Sequence, residues 1–453
     1  MDDTTRKVGV FTVAGVAVAT VGAATAVDIR VVAAVVVLAA ASFLLTASPL
    51  VVLTGLLVMR TLSDSKLLPA SVSFAINLLI ALVVTLYAVG YFVSRRFVVG
   101  QIVLWLPVGA LFSSMYALWL VDSTSSIINE YTRLVSIVGM ACLAMVVRRD
   151  VGDIKVARAL VLASFPAAMF VFFGQITKTP EFYNAAGGAF GTFANKNAAA
   201  GMFAVVSVVS LYAFITTKQK LFATGCISSG IALVLNVSLG GAITGFVGIV
   251  VLLIAYRNKI AFGTRMVLFV GVLGVIALLA SNTSYISRFS EIDESGIRVA
   301  SAGEQTNSLN WRLSNWVRLL EIWQERPLFG WGFGATSRAI QPLGKQPHSE
   351  YVRFLVEVGL VGFIVLLLLI WLVVRSPVAQ SSMPFHIALS SLVLVNATVA
   401  NTLAYVSMMY FVVVAWQVRD LSQTETANAT SRDTSPIPSD QKRSASFVGA
   451  VKK

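Results

Sequence analysis

Between Trp311 and Gly362 the sequence reads WRLSNWVRLLEIWQERPLFGWGFGATSRAIQPLGKQPHSEYVRFLVEVGLVG, the polar stretch richest in groups that do chemistry. Arg312, Arg318, Arg326, Arg338 and Arg353 supply planar guanidinium groups, which hold phosphate or carboxylate through paired hydrogen bonds. His348 is one of two histidines. Imidazole is the side chain whose ordinary pKa best suits a general base near neutrality. A structural surface histidine is the plainer alternative, and the surrounding arginines in a loop next to an apolar run favour the base. His386, at the start of a later apolar run, reads as structural or interfacial. Gly330-Trp331-Gly332-Phe333-Gly334 allows a tight turn whose N–H groups can bind anions. Asn195-Lys196-Asn197 opens another apolar run. A helix start there offers free N–H groups, a cation and two amides to phosphate or sugar hydroxyls, with simple capping by asparagine as the alternative.

The rest of the chain must position these groups, and its composition says how. Of 453 residues, 57% are hydrophobic and 12% charged, about half the charged share of a soluble domain, roughly 25%. Long apolar runs recur to about residue 418, which excludes a mainly soluble protein and gives a polytopic membrane protein. Short alternating segments, the mark of a membrane barrel, are missing, so the fold class is all-α. The net charge of +13 does not point to nucleic acid, because the basic residues cluster in short connectors and the tail, as cytoplasmic loops require. The loop 282–350 holds seven basic and seven acidic residues and is neutral. Cys142 and Cys226 fit no metal or disulfide pattern and read as buried thiols.

The charge alternation orders the spans. Val8–Val27, a region at Val31–Met59 interrupted by Ser48-Pro49, Ala70–Val93, Gln101–Leu120, Tyr131–Val147 and Ala157–Gly174 come first. Ala198–Thr217, Leu221–Ser238, Ala242–Tyr256 and Met266–Ala280 follow, then Tyr351–Val374, Pro384–Ala400 and Thr402–Val418. About 12–14 transmembrane helices are expected. Residues 1–281 form an N-terminal bundle, 282–350 an extracytoplasmic catalytic loop, 351–418 the C-terminal helices and 419–453 a disordered cytoplasmic tail. Inside the loop, Trp311–Glu325 carries a Leu313/Trp316/Val317/Leu320/Trp323 stripe at helical spacing. Its tryptophans suit an interfacial helix, ended by Pro327.

Three motifs, GTFANKNAAAGMF, RPLFGWGFGA and PHSEYVRFLVEVGLVGF, resemble the O-antigen ligase and polysaccharide polymerase family, bacterial polytopic glycosyltransferases of the GT-C type. The resemblance covers about residues 188–363. One departure stands out. Where the family often carries a Ser-Arg-Gly step, this chain reads Ser238-Leu239-Gly240-Gly241, so a diphosphate contact must come from elsewhere.

The resemblance implies transfer of a glycan from an undecaprenyl-diphosphate-linked donor to lipid A–core or a growing polysaccharide, outside the bacterial inner membrane. Diphosphate is a good leaving group whose charge needs cations, for which Arg288, Arg312 and Arg353 are the candidates, with Asn195, Lys196 and Asn197 at the substrate. Arg338 reads as a solvated loop residue. His348 takes the acceptor proton or orients the hydroxyl, tuned by Glu350. Direct displacement implies inversion. No metal-ligand cluster is evident, and neither metal nor cofactor is expected. Ligase and polymerase are level on sequence, and protein glycosylation stands below them. The competing class is a lipid-linked oligosaccharide flippase or transporter without covalent chemistry, which needs ionisable groups along its spans.

Overall fold

The computed structural model describes residues 47–63, 70–94, 106–184, 188–193, 195–260, 308–375, 382–419 and 421. The expected spans Val8–Val27 and Met266–Ala280, Arg288 and the tail beyond 421 lie outside the described residues. Among those described there is no strand, only an isolated bridge between Tyr183 and Ala189. The protein is an all-α polytopic membrane protein.

Twelve α-helices are described, here α1 to α12. They are α1 (Pro49–Ser63), α2 (Ala70–Ser94), α3 (Leu106–Leu120), α4 (Thr124–Val151), α5 (Asp153–Thr177) and α6 (Lys196–Thr217). After these come α7 (Lys220–Leu235), α8 (Leu239–Ala255), α9 (Ser308–Gln324), α10 (Glu350–Val374), α11 (Met383–Val399) and α12 (Val406–Trp416). Three segments, Asp153–Thr177, Lys196–Thr217 and Glu350–Leu372, are long and apolar enough to cross a membrane. The other apolar helices are shorter. Pro49, the interruption seen in the sequence, stands at the first position of α1, where its missing N–H costs no ladder bond.

The centre of the bundle is α6, buried along nearly its whole length. Its Ala, Gly, Ser and Val residues let neighbours approach closely, as membrane helix packing favours. Gly241, Gly245 and Gly248 of α8 share one face at helical spacing. A Cβ on them would run into Ala200, Ala204 and Val208 of α6. This seam sets the starts of α6 and α8 side by side. The C-terminal helices belong to the same bundle, since α11 packs on α8 and α12 on α6 and α4.

The α10 helix is broken at Gly359, whose φ is +65°. The break frees backbone groups in mid-helix, and the segment Pro327–Gly332 takes them up. Trp331 and Gly332 donate to the carbonyls of Val356 and Glu357, while Leu360 and Val361 donate to those of Pro327 and Leu328. Irregular backbone at membrane depth is tolerated where protein satisfies it in this way. The Glu-x-Gly-x-x-Gly pattern at 357–362 is therefore a docking slot for the glycine loop.

The glycine loop is not an anion-binding turn. Gly330, Gly332 and Gly334 all have positive φ, as expected, but the neighbouring N–H groups are consumed by packing. Phe333 N donates to Ser113 Oγ at 3.0 Å and Thr336 N to Glu357 Oε1 at 3.1 Å, in addition to the bonds to α10. The α9 helix meets the protein through a mainly polar face. It buries Asn310, Ser314, Asn315 and Leu319 and leaves Val317 of the apolar stripe 39% exposed. Small and polar residues make the protein contact, because they let α9 lie close against its neighbours. Cys142 is buried, Cys226 is half-buried, and both are free. His386 is fully buried, with its ring nitrogens near Ser382 and 3.0 Å from the Trp416 carbonyl oxygen, a structural setting at the end of the bundle away from His348.

Candidate functional site

At one end of the bundle, the starts of α6, α8 and α9 meet the end of α11. Between them lies a cavity of about 210 Å³. Lys196, Asn197, Ser238, Gly240, Arg312 and Asn396 line it, with Ile243, Leu309 and Val399 among its apolar walls.

Each polar group there has a local cause. The Asn195 side chain accepts from Asn197 N at 2.8 Å and caps α6. Ser238 does the same for α8, accepting from Gly241 N at 3.2 Å. Its hydroxyl also donates to Asn197 Oδ1 at 2.8 Å, tying the two helix starts together. Helix starts carry N–H groups without intrahelical partners and the positive end of the helix dipole. With Lys196 and Arg312 beside them, the cavity has a strongly positive polar wall facing an apolar one. That combination suits an anionic head on a hydrophobic tail.

His348 stands next to this cavity. Its ring meets the Trp311 ring edge-on at 5.6 Å, and the adjacent Arg312 lines the cavity. The backbone is left-handed at His348, φ +52°, which a residue with a Cβ rarely adopts. Nδ1 is buried without a hydrogen-bond partner. Burial pushes the imidazole pKa down to about 4, and the charges of Arg312 and Lys345 add to this. The side chain is therefore neutral at physiological pH and able to accept a hydrogen bond or a proton.

The structure brings together Lys196, Asn197 and Arg312 in the cavity, with Asn195 as the cap behind them and His348 alongside. It places two candidates elsewhere. Arg353 is 2% exposed and all its guanidinium nitrogens face carboxylates. Nη2 lies 2.8 Å from Glu130, Nη1 3.4 Å from Glu350 and Nε 3.2 Å from Glu357. A guanidinium so enclosed cannot reach a diphosphate, and the sequence expectation for Arg353 is corrected on that ground. Glu350 does not tune His348 directly. Its carboxylate is taken by Arg353 and, at 3.3 Å, by the Leu403 N–H. Among the described residues, no group of three or more His, Cys, Asp or Glu side chains is arranged to hold a metal ion.

Sequence reading noted Ser238 only for the arginine missing beside it, gave it no role, and missed Asn396, Glu130 and Glu357. Ser238 and Asn396 are ordinary polar residues at helix ends and carry no signal alone. Glu130 falls between the expected spans Gln101–Leu120 and Tyr131–Val147, yet it is buried within α4. Glu357 had a signal, a carboxylate inside an apolar run expected to span the membrane.

Residues 224–367 match the family model described as O-Antigen ligase. No curated protein and no solved structure matches the chain. The matched stretch includes Ser238–Gly241, Arg312 and His348, while Asn195–Asn197 lies before it and joins it through the Ser238 hydrogen bond. Over residues 224–367 the chain is similar to the O-antigen ligase family.

Proposed function

We propose that the protein is a glycosyltransferase that moves a glycan from a polyprenyl diphosphate, undecaprenyl diphosphate in a bacterial inner membrane, to an acceptor sugar on the periplasmic face. The observation that carries this is the cavity itself, with two capped helix starts, Lys196 and Arg312 on one wall, apolar side chains on the other, and a neutral imidazole alongside. The diphosphate sits against the cations and helix starts, and its lipid tail leaves along the apolar wall. The absent Ser-Arg-Gly arginine is compensated by the start of α8, which the serine caps.

In the reaction, His348 accepts or orients the proton of the acceptor hydroxyl. That oxygen attacks the anomeric carbon from the face opposite the diphosphate, so configuration inverts. The bond to the diphosphate breaks with its electron pair, and Lys196 and Arg312 stabilise the charge that develops there. No strong general acid is needed. A base with so low a pKa is weak in the empty site. Donor binding corrects this, because a diphosphate on Arg312 offsets one of the charges that depress the imidazole.

A transporter reading draws on Arg353 and Glu357, ionisable groups inside α10. Their mutual pairing with Glu130 and Glu350 favours a fixed structural cluster over a conduit. The test is reconstitution in lipid with polyprenyl-diphosphate-linked glycan, first alone and then with lipid A–core. One shifted band that requires lipid A–core identifies a ligase, and a ladder without it identifies a polymerase. Movement of intact donor across the bilayer with no new glycosidic product would overturn the transferase reading.

A further inference from the structure

The strained turn at His348 has to be held, and the holding groups can be traced. On its N-terminal side, Pro347 O accepts from Trp316 Nε1 at 2.7 Å, and Gln346 Oε1 accepts from Asn401 Nδ2 at 2.9 Å. On its C-terminal side, Glu350 opens α10 two residues later. One of its oxygens accepts from Leu403 N and the other faces Arg353. The α9–α10 connection is thus fastened to the α11–α12 connection on both sides of His348.

Arg353 is the hub of the C-terminal fastening, and Glu130 is its anchor outside α10. The Glu130 carboxylate is 3% exposed. One oxygen accepts from Arg353 Nη2 at 2.8 Å, and the other pairs with Arg133 on the same helix. The Cβ of Glu130 also lies 3.4 Å from where a side chain on Gly334 would begin, so the glycine loop holds α4 in place. Phe333 of that loop covers the Arg353 guanidinium, 5.7 Å from ring centre to Cζ. Buried ion pairs specify geometry more than they add stability, since desolvation offsets much of their attraction.

We propose that Glu130 is a positioning residue for the transfer. Through Arg353 and Glu350 it fixes the backbone turn that presents His348. The proposal rests on the transferase reading and adds a residue from α4, outside the matched family region. Removing the Glu130 charge frees Arg353 to shift toward Glu350 and Glu357. Glu350 then loosens its hold on Leu403, and His348 relaxes from its left-handed backbone into a more open position.

The test compares wild type with Glu130→Gln, with Glu130→Asp as the variant that keeps the charge if the glutamine form does not accumulate. Two readouts are needed. The first is steady-state transfer, where kcat is expected to fall about ten- to a hundredfold while KM for the donor stays within about twofold of wild type, since the cavity is untouched. The second is independent of activity. The chain has only two histidines, and His386 is fully buried at the opposite end. Carbethoxylation of His348 relative to His386, read by peptide mass spectrometry, is expected to rise in the variant. An unchanged ratio, or a kcat loss with both histidines equally more reactive, overturns the proposal, since the latter is general loosening. If wild type gives no transfer, the transferase reading falls, and the carbethoxylation ratio still decides whether Glu130 holds His348.

Discussion

The Ser238 hydroxyl donates to Asn197 Oδ1 at 2.8 Å across 41 residues of sequence and caps α8 with the same oxygen. This one group joins the two helix starts that form the positive wall of the cavity. Ser238→Ala removes both bonds. The lost cap costs about 1 kcal/mol, and the larger expected effect is a several-fold rise in donor KM as the two starts drift apart. Thermal unfolding in detergent and donor titration measure the two effects separately.

Arg312 and Arg353 are both diphosphate candidates in sequence and behave differently in structure. Arg312→Ala should leave the protein at its normal membrane level and weaken donor use. Loss of one charge-assisted phosphate contact costs about 1.5–3 kcal/mol, or roughly ten- to a hundredfold in kcat/KM. Arg353→Ala should lower the amount of folded protein instead. It leaves three carboxylates without their shared cation, a change that costs about 3–5 kcal/mol in other buried pairs. Immunoblots of membranes beside transfer rates distinguish the two outcomes.

The α10 break gives a sharper structural prediction. Gly359 has φ +65°, and a Cβ there would collide with the Leu328 carbonyl oxygen. Gly359→Ala must either straighten α10 or expel the Pro327–Gly332 segment. The four backbone bonds between them would be lost in either case. Protease cleavage near Pro327 should increase sharply over wild type in right-side-out vesicles, which expose the proposed periplasmic face.

The pH dependence of the reaction follows from His348. The proposed reaction requires neutral imidazole, so activity is expected to be kept above its pKa and lost as pH falls through it. In the free protein that limb lies at about 4, and kcat/KM should show it there. Bound diphosphate screens Arg312 and raises the imidazole pKa, so the acidic limb of kcat should lie higher than that of kcat/KM. Arg312→Ala should shift the free-protein limb upward as well, because one of the charges depressing His348 is gone.

Much of the bundle could be read in the sequence. The apolar runs expected at Ala157–Gly174 and Ala198–Thr217 lie within α5 and α6, because length and hydropathy dictate spans directly. Lys196, Asn197 and Arg312 stood out in the sequence because helix starts and arginines carry their chemistry locally, and all three line the cavity. The fate of Arg353 was not legible. It depends on Glu130, 223 residues earlier, and no periodicity encodes that pairing. The glycine loop misled for a related reason. Its positive φ angles are a local property, but what its N–H groups bond to is decided by the break at Gly359.

The most direct test of the account is the transfer rate of His348→Ala beside wild type, at matched membrane levels and with donor saturating. A fall in kcat of about a hundred- to ten-thousandfold is expected with donor KM little changed, because the proposed diphosphate cavity remains intact. Wild-type kcat in His348→Ala would contradict it and remove the imidazole from the chemistry.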